Sequence, residues 1–251
     1  MTTRILSKND EIKLFQNIFT RAKKELVPKL RVVPKNTCYI HVIINAILNL
    51  IYPKDKQNDY MYKYSSAFGY TVALASRYGN NVQNFSAWKV LCHELIHVVC
   101  QAKKYTRVLM AFLYMWPLSQ GALLLLTCWL PIFWVSGWVL VIWIVCWILI
   151  AGLHFIPQLP DPWRHRWEVQ AYSVSMYLYW MVTNRIPSEY VESIIDNLHS
   201  MNYYITEPNR GKIRIELCKI VYQIVNNISP IKYNPIVKIA REEYIKILNE
   251  Q

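Results

Sequence analysis

His93-Glu94-Leu95-Ile96-His97 forms an HExxH motif within a stretch, Val90–Ala102, that has no other charged residue. On a helix this spacing places the two imidazoles one turn apart on the same face, near enough to share one zinc ion. Glu94 then lies beside the first ligand, where its carboxylate can take a proton from the attacking water. The apolar neighbours predict a buried helix, with Ser86 as candidate N-cap and Asn84 as the alternative.

Two histidines supply only part of a zinc site. A catalytic zinc ion usually takes three protein ligands and leaves one position for water. We therefore expect a third ligand farther along the chain. Glu168, in the segment Arg164–Ala171, is the best candidate, and His165 in the same segment is the rival.

A long apolar stretch separates the two parts of this predicted site. Residues 108–156 contain no Asp, Glu, Lys or Arg, and they hold six tryptophans. A single membrane span needs about 20 apolar residues, so the stretch predicts a transmembrane helical hairpin. Its turn is expected at Leu130-Pro131 and Ser136-Gly137. A buried helical hairpin is the alternative.

Two spans return the chain to the side of the membrane that it left. The HExxH helix and Glu168 would then face one aqueous compartment, although Glu168 lies 71 positions after His97. Basic residues flank the hairpin on both sides: Lys103, Lys104 and Arg107 before it, Arg164 and Arg166 after it. Because positive residues tend to stay in the cytoplasm, we expect an integral membrane protein with its catalytic side cytoplasmic.

The order of these features resembles the HtpX-like membrane zinc metallopeptidases, a gluzincin family that includes the CAAX prenyl endopeptidases. The resemblance rests on motif order over roughly residues 68–180: His93, Glu94 and His97, the hairpin, then Glu168 and Ala171 after Arg164 or Arg166. It implies that His93, His97 and Glu168 bind Zn²⁺ and that Glu94 is the general base. It also implies hydrolysis of a peptide or protein substrate at the cytoplasmic membrane face.

The chain departs from this family four residues after the ligand glutamate. The family usually has Asp there, supporting the zinc site, whereas this chain has Tyr172. A metal-bound histidine generally donates its other ring N–H to a carboxylate or carbonyl, so another group must orient the ligands here. The candidates for this role, or for stabilising the oxyanion of the reaction, lie near Glu168 in sequence: Arg164, His165, Arg166 and Tyr172.

The expected fold is mainly α with a small β-sheet, a zincin-like domain interrupted by the hairpin. We expect an amphipathic N-terminal helix and linker at 1–37, with Ser7 as N-cap. The first part of the domain spans 38–107, the hairpin 108–156, and the second part, with further helices, 157–251. Cys38–Tyr52 suits a buried or re-entrant helix, with a third crossing as alternative. Residues 60–78 predict one or two strands, and Thr71–Ser76 is the candidate edge strand for pairing with substrate.

Composition narrows the class of partners. The net charge of +12 is spread along the chain and no nucleic-acid motif accompanies it, so anionic lipid is the expected partner and nucleic acid is not. The six cysteines show no disulfide framework. Two other functions stay open: a catalytically inactive zincin-like membrane or virion structural protein, and a binding module whose zinc is purely structural, with His165 or Cys92 supplying a fourth ligand.

Overall fold

The computed structural model describes residues 6–51, 60–78, 85–102, 162–199 and 207–250, with positions 137, 138, 140, 141, 143–145 and 148 between them. As predicted, these residues are mainly helical and include a small β-sheet. The helices are α1 (Lys8–Leu26), α2 (Tyr39–Ile51), α3 (Tyr60–Lys63), α4 (Phe85–Gln101), α5 (Pro162–Thr183), α6 (Ser188–His199), α7 (Arg210–Val225) and α8 (Pro235–Asn249). The strands are β1 (Arg31–Pro34), β2 (Ser66–Phe68) and β3 (Thr71–Leu74).

Helix α1 begins as the sequence predicts. The Ser7 side chain accepts a hydrogen bond from the backbone N–H of Asp10 at 3.2 Å, which satisfies one of the free donors of the first turn. The buried stripe of the helix packs against α4 and α8; it comprises Leu14, Phe15, Ile18, Phe19 and Ala22. On its polar side, Arg21 forms ion pairs with Glu242 and Glu243 of α8. The helix is therefore packed into the same domain as the motif helix.

The sheet corrects two expectations. Residues 31–34, predicted to be linker, form strand β1, which pairs in parallel with β3 from Arg31↔Thr71 to Pro34↔Leu74. Strand β2 pairs antiparallel with the other side of β3, so the strand order is β1-β3-β2. The prediction that Thr71–Ser76 is an edge strand is wrong, because β3 is central and its backbone groups are used on both sides. Within the described residues, β1 and β2 form the edges.

A side chain at the end of α4 attaches this helix to the sheet. Gly69, in the β2–β3 turn, has φ +59°, a conformation that favours glycine. Its N–H donates to Oε1 of Gln101 at 2.7 Å, and Gln101 is buried.

The start of helix α4 differs from one prediction: α4 begins at Phe85, so Ser86 lies inside the first turn and is not the N-cap. The alternative, Asn84, lies outside the described residues.

A buried polar cluster joins β1, α2 and α3. Lys35 directly follows β1 and is fully buried, and its Nζ donates to the carbonyl oxygens of Tyr60 at 3.0 Å and Tyr64 at 2.8 Å. The Nδ1 of His41 lies 2.7 Å from the Tyr60 hydroxyl, and its Nε2 lies 3.1 Å from Ser66 Oγ. The cluster holds the segment before β2 against the sheet, and this segment borders the candidate site described below.

Most of the predicted hairpin at 108–156 lies outside the described residues. Gly137, placed in the predicted turn, has φ +72°, and the described positions after it are helical. Large apolar side chains in this segment are exposed: Trp138, Val141, Ile144, Val145 and Ile148. No helix within the described ranges has both the length and the apolar character needed to cross a bilayer.

Candidate metal centre

Helix α4 places the motif residues at the boundary between core and cavity. Its apolar face is buried in the core and comprises Ala87, Leu91, Cys92, Leu95, Ile96 and Val98. His93 and His97 lie on an adjoining face, and their ring centroids are 5.2 Å apart in an edge-to-face arrangement. The i, i+4 spacing thus brings both imidazoles together as the sequence predicts.

Helix α5 packs against α4 and supplies the opposite side of the centre. Glu168, Tyr172, Ser175 and Tyr179 recur at intervals of three and four residues, so they share one face of the helix. Glu168 is 2% exposed and lies deepest of the residues that approach the histidines. The third residue of the predicted ligand set is therefore brought to the other two by the packing of α5 on α4.

The distances from Glu168 to the two histidines are close to those between the ligands of a tetrahedral zinc ion. Glu168 Oε2 lies 3.5 Å from His93 Nε2 and 3.6 Å from His97 Nε2. Ligands held about 2.0–2.1 Å from a tetrahedral ion are about 3.3–3.4 Å from one another. One ligand atom from each residue lies within 4.8 Å of the other two. Two imidazole nitrogens and one carboxylate oxygen also form the donor set of one known class of catalytic zinc site, so the residues present fit the ion.

The electrostatics of Glu168 suit a ligand that must be ionised. Burial by itself raises the pKa of this carboxyl group. His97 and His93 oppose that effect through charge and hydrogen bonding, and together they hold the pKa of Glu168 well below its usual range. A metal ligand has to be deprotonated to bind, and Glu168 meets that requirement in this surrounding.

The surroundings of Glu94 raise the pKa of its carboxyl group, whereas those of Glu168 lower it. It is 8% exposed, and burial raises its pKa to about 7, an effect that His93 opposes and Glu168 reinforces. The charges of Lys35 and Arg164 lower the same pKa by smaller amounts. A carboxyl group with a pKa near neutrality can both accept and return a proton, which is what a general base that later acts as an acid must do.

Ser175 contacts His93 and was not among the residues predicted from the sequence. Its Oγ lies 3.2 Å from His93 Nδ1 and donates its own hydrogen to the carbonyl oxygen of Ala171 at 3.0 Å. A hydroxyl that gives its hydrogen to Ala171 can accept one from Nδ1–H of His93, and in that tautomer, once a metal ion replaces the proton shared with Glu168, Nε2 is the nitrogen that binds the ion. Ser175 thus occupies the place of the orienting group that was expected in place of the family's Asp. Its position, seven residues after Glu168 on the same helix face, was the signal that could have revealed it.

Tyr172 contacts the centre through its ring. The ring centroids of Tyr172 and His93 are 4.6 Å apart, and the Asn197 amide donates to the Tyr172 hydroxyl at 3.3 Å. The tyrosine thus packs against a predicted ligand at the position where the resembled family has a carboxylate. It stays a candidate for stabilising the reacting oxygen, because it also lines the cavity beside His93.

The other residues predicted for the site do not join the ligand cluster. His165 turns toward α7, where its Nε2 lies 2.8 Å from Glu216 Oε2, and the structure does not bring it to the ligand cluster. Arg166 is exposed, whereas Arg164 is half-buried and acts on the pKa of Glu94. Cys92 faces the core, and burial raises the pKa of its thiol to about 12, so it stays protonated and does not suit a metal ligand.

We expect the Ser175→Ala variant to bind zinc about 10–100-fold more weakly than wild type, because the orienting contact to His93 is lost. The measurement is a competition titration of zinc against a chelator of known affinity. Ser173→Ala is the matched control, since the Ser173 hydroxyl also donates to a carbonyl oxygen of α5, that of Val169, and is buried. Equal zinc affinity in both variants would show that Ser175 does not orient the ligand.

Comparison with known proteins assigns the chain neither to a family nor to a function. No protein-family model matches the chain, and neither a curated protein nor a solved structure is significantly similar to it. Function therefore has to be inferred from the chemistry of the centre.

Proposed function

We propose that the chain is a zinc-dependent metalloendopeptidase of the gluzincin type. The observation that carries the proposal is the convergence of His93, His97 and Glu168 at zinc-ligand spacing, with Glu94 beside them at a cavity. The order of the motif, the apolar stretch and Glu168 supports membership of the HtpX-like membrane metallopeptidases. Ser175 on His93 supplies the support that the Asp of that family usually gives.

The residues divide the work of peptide hydrolysis among them. His93, His97 and Glu168 hold the ion, and zinc when bound polarises the scissile carbonyl and lowers the pKa of water toward 7. Glu94 accepts the proton of the attacking water and passes it to the leaving amine. Tyr172, whose ring contacts His93, and Arg164, whose charge acts on Glu94, are the predicted residues that we assign to the developing oxyanion.

We assign β2, which begins next to this cavity, as the strand with which an extended peptide pairs. Residues 63–65, which directly precede β2, form part of the cavity wall, and β2 is one of the two sheet edges within the described residues. Peptides commonly bind by adding a strand to an exposed sheet edge. Strand β2 then has the substrate-pairing role that was predicted for Thr71–Ser76.

The proposal places the centre at a membrane surface, on the cytoplasmic side. Support comes from the uncharged stretch at 108–156 and from the exposed apolar side chains at its described positions. Helix α2 adds a second apolar surface, with Tyr39, Val42 and Ile43 exposed. Large apolar side chains in such numbers favour contact with the lipid bilayer over contact with water.

Removal of zinc tests the proposed activity. We expect the detergent-purified chain to cleave a mixture of unstructured peptides, to stop when a chelator removes zinc, and to resume when zinc is restored, because zinc supplies the Lewis acid. The measurement is mass spectrometry of the peptide mixture over time. Zinc-loaded protein that cleaves no peptide would favour the alternative, an inactive zincin-like membrane or virion structural protein, for which the tyrosine at position 172 is the main support.

A further inference from the structure

A cavity of about 440 Å³ opens beside His93 and Glu94. Helices α4, α5 and α6 line part of the cavity, and residues 63–65 and 77–78 line another part. Its size lies in the range of small-ligand pockets, about 300–1,000 Å³. It is therefore large enough to receive one or two residues of a substrate next to the reacting centre.

The charged residues of the cavity wall are mostly cations. Lys63, Arg77 and Lys89 line it, and Glu94, the proposed general base, is the acidic residue among its lining groups. Lys63 and Arg77 are exposed, whereas Lys89 is half-buried. The cavity thus presents positive charge on exposed side chains and on a half-buried one.

Aromatic rings hold two of these cations in place. The Nζ of Lys89 lies 4.3 Å from the ring centroid of Tyr179, and that ring stacks on Tyr190 with centroids 5.2 Å apart. The guanidinium of Arg77 lies 4.7 Å from the ring centroid of Tyr78 and donates to its hydroxyl at 2.6 Å. Cations fixed on rings lose less freedom when they bind an anion than mobile surface side chains do.

Lys89 lies at a defined distance from the reacting centre. It precedes His93 by four residues on α4, which places it about one helical turn, or 6 Å, along the axis. Burial lowers its pKa to about 8, and the charge of Glu11 partly opposes this. The lysine therefore remains mainly protonated at neutral pH while it is partly shielded from water, and a carboxylate that reaches it gains more than it would at an exposed lysine.

From this arrangement we propose that the cavity binds a carboxylate of the peptide substrate, with Lys89 and Arg77 as the specificity-determining residues. The inference rests on the proposed peptidase function and names the substrate class for that centre. An extended peptide advances about 3.3 Å per residue, so the carboxylate belongs to a residue within one or two positions of the scissile bond. It comes either from an acidic side chain or from the C-terminus of the substrate.

Binding to a variant that does not turn over tests the inference directly. The probes are dansyl-labelled short peptides that differ at one point: a neutral peptide with a C-terminal amide, the same peptide with one Gln changed to Glu, and the neutral peptide with a free C-terminal carboxylate. Each is titrated into the full chain carrying Glu94→Gln, loaded with zinc in detergent. We expect at least one acidic form to bind about tenfold more tightly than the neutral amide, the gain of one charged hydrogen bond.

Substitutions assign the preference to the cavity. Lys89→Gln should abolish the tenfold preference without loss of zinc, and Lys89→Arg should retain it because the charge remains. Lys23→Gln, on the exposed side of α1, is the control for a general change in net charge. The acidic form that binds more tightly shows whether the carboxylate comes from a side chain or from the C-terminus.

The outcomes separate this inference from the proposed function. Equal binding of all three peptides, or a preference that survives both Lys89→Gln and Arg77→Gln, would overturn the inference. If wild type cleaves the three peptides with equal kcat/KM, the peptidase function is supported and the carboxylate site is contradicted. If zinc-loaded wild type binds the acidic peptide with the expected preference but cleaves none of them, the site stands and the peptidase function fails.

Discussion

The Glu94→Gln variant is expected to retain zinc and to lose about 10²–10⁴-fold in kcat for peptide hydrolysis, the usual contribution of a general base. Glutamine keeps the size of the side chain and removes the group that accepts the proton. Glu94 is not among the three residues at ligand spacing, so the metal site should stay intact. The measurement pairs kcat on a cleaved peptide with zinc per chain for wild type and variant.

A second buried glutamate provides the control for this experiment. Glu243 is also 8% exposed, and it accepts hydrogen bonds from Asn17 and Arg21 away from the metal centre. Glu243→Gln should lower stability while kcat per folded chain stays near the wild-type value. A Glu94→Gln chain that cleaves peptides at the wild-type rate would contradict the assigned role of Glu94, and another residue would have to be the general base.

Removing Glu168 should have the second large effect, on metal content. We expect wild type to hold close to one zinc per chain and Glu168→Ala to hold far less after dialysis, because two histidines alone are an incomplete set of ligands. Activity should fall with the zinc. The substitution also removes the carboxylate whose pKa His97 and His93 hold low, so the two imidazoles lose their common partner. Inductively coupled plasma mass spectrometry of the purified chains gives the stoichiometry.

The rival ligand serves as the matched control for Glu168. His165 lies on the same helix, α5, but its ring is engaged by Glu216 of α7. His165→Ala should therefore keep its zinc. If His165→Ala loses zinc and Glu168→Ala keeps it, the ligand assignment is wrong and the histidine has to rotate toward the centre in the metal-bound state.

The parts of the fold that the sequence predicts well are those set by local pattern. The N-cap of α1 at Ser7 follows from a serine before an apolar stripe of helical period. The face shared by His93 and His97 follows from their spacing alone. Glu168 was predicted from ligand chemistry and a resemblance in motif order, and the packing of α5 on α4 brings it to the histidines.

The parts that the sequence does not predict depend on contacts between distant segments. Strand β1 is four residues long and ends at Pro34, with no alternation to distinguish it from a linker; its parallel partner lies some forty residues away. The central position of β3 is decided by that partner and cannot be read from Thr71–Ser76. The contact between Ser175 and His93 can be predicted only once the face of α5 that packs against His93 is known. The hairpin at 108–156 stays a prediction, since most of it lies outside the described residues.

X-ray absorption at the zinc edge of the zinc-loaded chain tests the central claim most directly, because it reports which atoms surround the ion. We predict nitrogen and oxygen neighbours only, at about 2.0–2.2 Å, with the multiple-scattering pattern of two imidazoles. The same spectrum of Glu168→Ala should lose an oxygen neighbour or be too weak to record. A sulfur neighbour at about 2.3 Å, or a wild-type chain that retains no zinc, would contradict the site formed by His93, His97 and Glu168.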